Sequence, residues 1–112
     1  MNLRRYCFAL DLVEDAALIA AYEQRHAPGG VWPEVLADIR AQGVAQMEIW
    51  RVGVHMVMIV EAAEDFPRPR PPAPRVLEWE DLMSRFQRLP AEGEPGPKWR
   101  PMTRIFALDE HP

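Results

Sequence analysis

Between Arg4 and Asp11 the chain alternates, with Tyr6, Phe8 and Leu10 on one side and Arg5, Cys7, Ala9 and Asp11 on the other. A period of two predicts a strand. From Glu14 to His26 the period lengthens. Acidic residues open this segment, good helix formers fill it, and Leu18, Ile19, Tyr22 and His26 form a stripe at helical spacing, which predicts a helix. Pro28-Gly29-Gly30 ends it. A second, short helix is predicted with Pro33 in its first position, Glu34 in its first turn, and Val35, Leu36 and Ile39 as its apolar face. Gly43 then stands where a helix C-terminus favours a residue of positive φ.

Two strands follow, Val44–Arg51 and Val54–Glu61, joined by a hairpin through Val52–Gly53. The second is apolar on both sides, with Met56, Met58 and Val60 opposed to Val57 and Ile59, so it is expected at the centre of the sheet. The run PRPRPPAP from Pro67 to Pro74 admits only extended or irregular backbone. Val76, Trp79, Met83 and Phe86 mark a third helix, and a polar loop, AEGEPGP, separates it from a last strand near Trp99–Leu108. The order β–α–α–β–β–α–β predicts one α+β domain over residues 1–112, with a ferredoxin-like four-stranded antiparallel sheet and its helices on one face. The helices cannot cover both faces of such a sheet. A second copy of the chain is the simplest cover, so a homodimer joined through the sheet face is expected.

Composition narrows the chemistry. At 112 residues, 48% of them hydrophobic, there is material for a single core. A net charge of −4 argues against a nucleic-acid or anionic-membrane partner. No apolar run approaches the roughly 20 residues of a membrane span and nothing reads as a signal peptide, so a cytoplasmic location is expected. Cys7 is the one cysteine, which excludes an internal disulfide and a cysteine-built metal centre. Lys98 is the single lysine and a poorly placed candidate for a Schiff base. His55 and His111 have no metal-ligand spacing to His26, and neither a phosphate loop, a dinucleotide fingerprint nor a catalytic triad is present. Neither a metal nor a cofactor is expected. Proline is the anomaly: there are 12, about twice the usual ~5%, concentrated between Pro67 and Pro101. A stiff loop explains them better than a proline-rich recognition ligand.

His26 is the leading candidate for chemistry. It lies one helical turn beyond Tyr22, on the face turned toward the sheet. The helix end favours the imidazolium and burial disfavours it, which poises a histidine near neutral pH, as general acid–base catalysis requires. A histidine that merely meets the helix dipole has the same spacing. Glu48 shares a strand face with Gln46 and Trp50, and suits a second acid–base group, a hydroxyl acceptor or a rim carboxylate paired with arginine. The faces of Trp32, Trp50, Trp79 and Trp99 fit the C–H face of a sugar, and their N–H groups fit a hydroxyl. Core packing or a dimer interface would use the same residues.

Tyr22-Glu-Gln-Arg-His26, Val31-Trp32-Pro33-Glu34 and Met47-Glu48-Ile49-Trp50 together resemble the L-rhamnose mutarotase family. These are small dimeric α+β barrel proteins that interconvert the α and β anomers of 6-deoxy-L-sugars. The resemblance runs nearly the whole chain, to Lys98-Trp99, Met102 and Ile105-Phe106-Ala107-Leu108. Glu48-Ile49-Trp50-Arg51, Glu78-Trp79-Glu80-Asp81-Leu82-Met83 and Lys98-Trp99 are similar to a branch associated with L-fucose. The resemblance implies that His26 is the catalytic acid, that Tyr22 binds substrate, and that Trp79 is one of the family's paired tryptophans. Met47 stands where the family has a substrate-binding tyrosine, and Glu80 stands where it has the second tryptophan. Two extra residues lie between His26 and Trp32, and PRPRPPAP replaces a less proline-rich segment.

Anomer exchange needs one group to take the C1 hydroxyl proton and another to protonate the ring oxygen. It needs neither metal nor redox cofactor. On this reading His26 donates the proton, Glu48 opposes it as base, Tyr22 orients a monosaccharide, and Trp79 or Trp50 is its platform. A non-catalytic sugar-binding module and another dimeric α+β barrel enzyme, such as a haem-degrading monooxygenase or a lactone isomerase, are the competing readings.

Overall fold

The computed structural model describes residues 2–89 and 97–112. Its elements are β1 (Leu3–Leu12), α1 (Ala16–His26), α2 (Pro33–Ala41), β2 (Val44–Val52), β3 (His55–Ala63), α3 (Pro74–Ser84), β4 (Gln87–Arg88) and β5 (Arg100–Pro101), with a short 3-10 turn at Leu108–Glu110. Local chemistry sets the boundaries. The Asp15 carboxylate accepts the Leu18 backbone N–H at 2.9 Å, so α1 starts after the acidic pair rather than within it. Pro33 and Pro74 each sit in the first turn of a helix, where a missing N–H costs nothing. Gly43 ends α2 at φ +98°. The β2–β3 turn is Gly53–Val54, one residue later than predicted, because Gly53 takes the φ of +60° that the turn requires.

The sheet order is β2-β3-β1-β4, with β5 also on β1. β3 is therefore an inner strand, flanked by β2 and β1, as its two apolar sides predict. In the antiparallel registers Arg51, Ile49 and Met47 lie opposite Met56, Met58 and Val60, which in turn oppose Leu10, Phe8 and Tyr6. This face meets the helices. Leu10, Leu12 and Met56 from the sheet pack with Tyr22 of α1, Val35 of α2, and Trp79 and Met83 of α3. A second cluster around Val44, Val60 and Ala62 carries half-buried Met47, Ile39 and Phe66. The register shifts between Val44 and Gln46: Val44 faces Ala62, yet Gln46 faces Glu61. Ala45 is thus an extra residue, a β-bulge.

The proline-rich segment is irregular, as expected, and tied at defined points. The Arg68 backbone N–H donates to Gln42 O at 3.1 Å, and the Arg70 guanidinium spans both Asp38 carboxylate oxygens at 2.7 Å each. The polar loop after α3 falls mostly outside the described residues. The predicted last strand, Trp99–Leu108, is much shorter in the structure. Arg100 and Pro101 pair with Ala9 and Phe8, and Met102 N–H donates to Cys7 O at 2.8 Å. Pro101 has no N–H for the ladder, and the β1 edge is shared with Gln87–Arg88, opposite Leu12 and Asp11. Beyond it the chain leaves the sheet, with Ile105 95% exposed.

Candidate active site

α1 carries two of the candidate side chains. Tyr22 and His26, one turn apart, have ring centroids 4.3 Å apart. Beyond His26 the chain must reverse sharply. A Cβ on Gly30 would stand 2.6 Å from the Arg25 carbonyl oxygen, so glycine lets the loop fold back on the end of α1. That return brings Trp32 against Trp79 (centroids 5.1 Å), and Trp79 in turn meets His26 edge-on at 5.7 Å. The Arg75 guanidinium lies 3.7 Å over the Trp32 ring, a cation–π contact at the rim. Tyr22 and Trp79 are buried and His26 is half-buried.

Hydrogen bonding fixes the histidine's proton. His26 Nδ1 lies 2.8 Å from the Tyr22 carbonyl oxygen, which can only accept, so Nδ1 carries the hydrogen and the neutral ring offers Nε2 as a base. Burial pulls the imidazole below its ordinary value, and the Tyr22 carbonyl bond opposes that in part. Burial raises the Tyr22 phenol, a hydrogen bond from Gln87 lowers it, and the Glu80 charge raises it further.

An open cavity of about 350 Å³ lies beside this group, lined by Tyr22, Glu23, His26, Ile49, Trp50, Arg51 and Met56. Its size is at the small-ligand end of the range for binding sites. Arg51 bonds Glu23 and, through Nη1, the Gly53 carbonyl at 2.7 Å, linking the hairpin to α1. Neither residue stood out in the sequence. Strand parity with Met47 and Ile49 could have found Arg51.

The structure brings Tyr22, His26 and Trp79 together. Glu80 is exposed and held by Lys98 Nζ at 3.1 Å, one residue from Trp79, and its charge is felt at Tyr22. Met47 is half-buried on the helix-facing side of β2. Glu48 lies on the other side of that strand, where it accepts the Trp50 indole N–H at 2.9 Å. It does not share a face with His26. Among the described residues no group of three or more His, Cys, Asp or Glu could hold a metal ion. Among the described residues no helix is long and apolar enough to cross a membrane.

Comparison with known proteins identifies the family. A solved structure, the L-rhamnose mutarotase of Formosa agariphila, shares the fold with a TM-score of 0.68 at 20% identity, covering 94% of this chain and 98% of that one. An L-fucose mutarotase of Xanthomonas campestris pv. campestris is 46% identical over 115 residues, spanning 98% of this chain and 92% of the relative. A UPF0734 protein of Dictyostelium discoideum is 34% identical over 118 residues, spanning 96% and 92%. A family model described as L-rhamnose mutarotase matches residues 5–108, and the chain therefore belongs to the L-rhamnose mutarotase family.

Proposed function

We propose that this chain is a mutarotase, an isomerase that interconverts the α and β anomers of a 6-deoxy-L-hexose, L-fucose or L-rhamnose. The observation that carries this is His26: half-buried, with Nδ1–H committed to the Tyr22 carbonyl, and in contact with Trp79 and Tyr22 beside a cavity of monosaccharide size. Nε2 takes the C1 hydroxyl proton as the C1–ring-oxygen bond breaks, and the imidazolium returns that proton to the ring oxygen. Rotation about C1–C2 and the reverse transfer close the other anomer. His26 thus remains the donor to the ring oxygen, but it starts as the base. One shuttling imidazole suffices, and Glu48 across the sheet has no step. Tyr22 and Glu80 supply hydroxyl contacts, buried Trp79 backs His26, and Trp50, which lines the cavity, is the apolar platform.

The test is NMR exchange spectroscopy of the α and β anomeric protons of L-fucose and L-rhamnose, with and without protein. Acceleration of either sugar is the expected result. Tryptophan fluorescence that saturates with sugar, without faster exchange, would make the chain a binding module instead.

A homodimer belongs to the same proposal. The strand order, with helices on one face, supports a ferredoxin-like protomer, half of a dimeric α+β barrel. The other face presents Cys7, Ala9, Val57 and Ile59, half-buried, beside Trp50 at 63% and Val52 at 75% exposure. Met102, Ile105, Phe106 and Leu108 are exposed along the C-terminal segment. The radius of gyration, 15.2 Å, exceeds the ~13 Å of a compact domain near this length. A second copy would cover both apolar surfaces.

A further inference from the structure

Gln87 is the only polar or charged residue that is buried among those described, at 5% exposure. It stands on β4 opposite Leu12, and its Nε2–H donates to the Tyr22 hydroxyl at 3.2 Å. Its other amide atom, Oε1, is buried with no hydrogen-bond partner, the one such side-chain atom among the described residues. Buried acceptors are rarely left unpaired, and each one asks for an explanation.

The two observations fit together. A tyrosine hydroxyl that accepts from an amide keeps its own proton free to donate. Across an amide the oxygen and nitrogen are about 2.3 Å apart, so Oε1 lies within roughly 5.5 Å of the Tyr22 hydroxyl oxygen. That is within about two O–H···O hydrogen-bond lengths, so a single hydroxyl group that enters beside Tyr22 from the cavity and opens the packing over the buried Oε1 can bridge both atoms. It would accept from Tyr22 and donate to Gln87. Water can do this, and so can a sugar hydroxyl. Tyr22 is shared between this pair and the catalytic group, because His26 stacks on its ring.

Resting on the mutarotase reading, we propose that Gln87 is a substrate-binding and specificity-determining residue, which with Tyr22 clamps one hydroxyl of the sugar. A site built to take both hydrogen bonds of a hydroxyl rejects a sugar that lacks it.

The experiment compares wild type with Gln87→Met, which keeps side-chain length but has no amide. Anomer exchange is measured on L-fucose, L-rhamnose and their monodeoxy analogues. Wild type should lose about tenfold or more in kcat/KM on one particular deoxy analogue. Gln87→Met should lose a similar factor on the parent sugar, chiefly through KM, and should no longer distinguish that analogue. An equal loss on every sugar, or no loss, would overturn the proposal. If the variant fails to fold, the ¹⁵N side-chain amide signals of wild-type Gln87 decide: they shift on saturation with L-fucose or L-rhamnose, and unshifted signals at saturation refute the clamp. If wild type accelerates no sugar yet the amide signals shift, the mutarotase reading fails and the clamp stands.

Discussion

His26 Nδ1 lies 2.8 Å from the backbone carbonyl oxygen of Tyr22, one turn earlier in the same helix. The bond fixes the tautomer, and the half-buried ring lies below the ordinary histidine pKa. At neutral pH the imidazole is therefore uncharged, with Nε2 ready to receive a proton. After subtraction of the spontaneous rate, anomer exchange should be flat above about pH 6.5 and fall at lower pH, with its midpoint below that value. A rate that rises in acid would require the imidazolium as the starting form. Stability has the same sign. A depressed folded pKa contributes stability that is present above the unfolded value and lost as pH falls through the folded one.

His26→Ala should bring exchange close to the spontaneous rate, a loss on the order of 10²–10⁴-fold, with an unchanged circular dichroism spectrum. Glu48→Gln should keep wild-type exchange within a small factor, since Glu48 accepts from Trp50 on the opposite side of β2. The pair of variants, assayed by the same NMR exchange, separates a single shuttling imidazole from a two-residue acid–base pair. Loss of activity in Glu48→Gln would favour the pair.

The Asp38–Arg70 ion pair holds the proline-rich segment to α2. Hydrogen bonds from Arg70 keep the Asp38 carboxyl below the usual carboxylate range, against an opposing effect of burial. Asp38 is 12% exposed in its side chain but Arg70 is 35% exposed, so solvent screens the pair. Asp38→Ala should cost about 1 kcal/mol, a Tm drop of roughly 4–8 °C. The contribution is complete above about pH 3.9 and disappears as pH falls through the folded value. Thermal melts of both proteins should therefore converge in acid.

For the homodimer, light scattering coupled to gel filtration should give twice the chain mass for wild type. The double variant Ile105→Asp, Phe106→Asp places two charges on the exposed C-terminal segment. It should shift the protein toward the monomer if that segment is covered by a second copy. A monomeric wild type would refute the assembly.

Much of this was readable from residue patterns. Tyr22 and His26 fall one turn apart on an apolar stripe, and the helix places both as the spacing demands. The inner strand was evident from Met56–Val60, apolar on both sides. Glu48 shows where one-dimensional reading stops. Alternation groups it with Gln46 and Trp50, as the structure does, but does not say which side of β2 meets the helices. Counting from Val44, an apolar residue that does face them, would have turned Glu48 inward. The extra residue Ala45 reverses that parity. The pattern over-extends the last strand because its apolar residues satisfy the strand period, whereas Pro101 and the divided β1 edge limit what can pair. Gln87 carried no pattern: its importance comes from a contact 65 residues away in sequence.

That bulge at Ala45 also bears on how such a pocket can diversify. Because Val44 lies opposite Ala62 and Gln46 opposite Glu61, deleting Ala45 would restore plain alternation and leave Met47, Ile49 and Arg51 toward the helices and Gln46, Glu48 and Trp50 on the other side. The bulge therefore absorbs a one-residue difference in length without changing the wall that faces the helices. Substitution in the paired stretch from Gln46 to Val52, more than length at Ala45, is left to alter what a sugar would encounter.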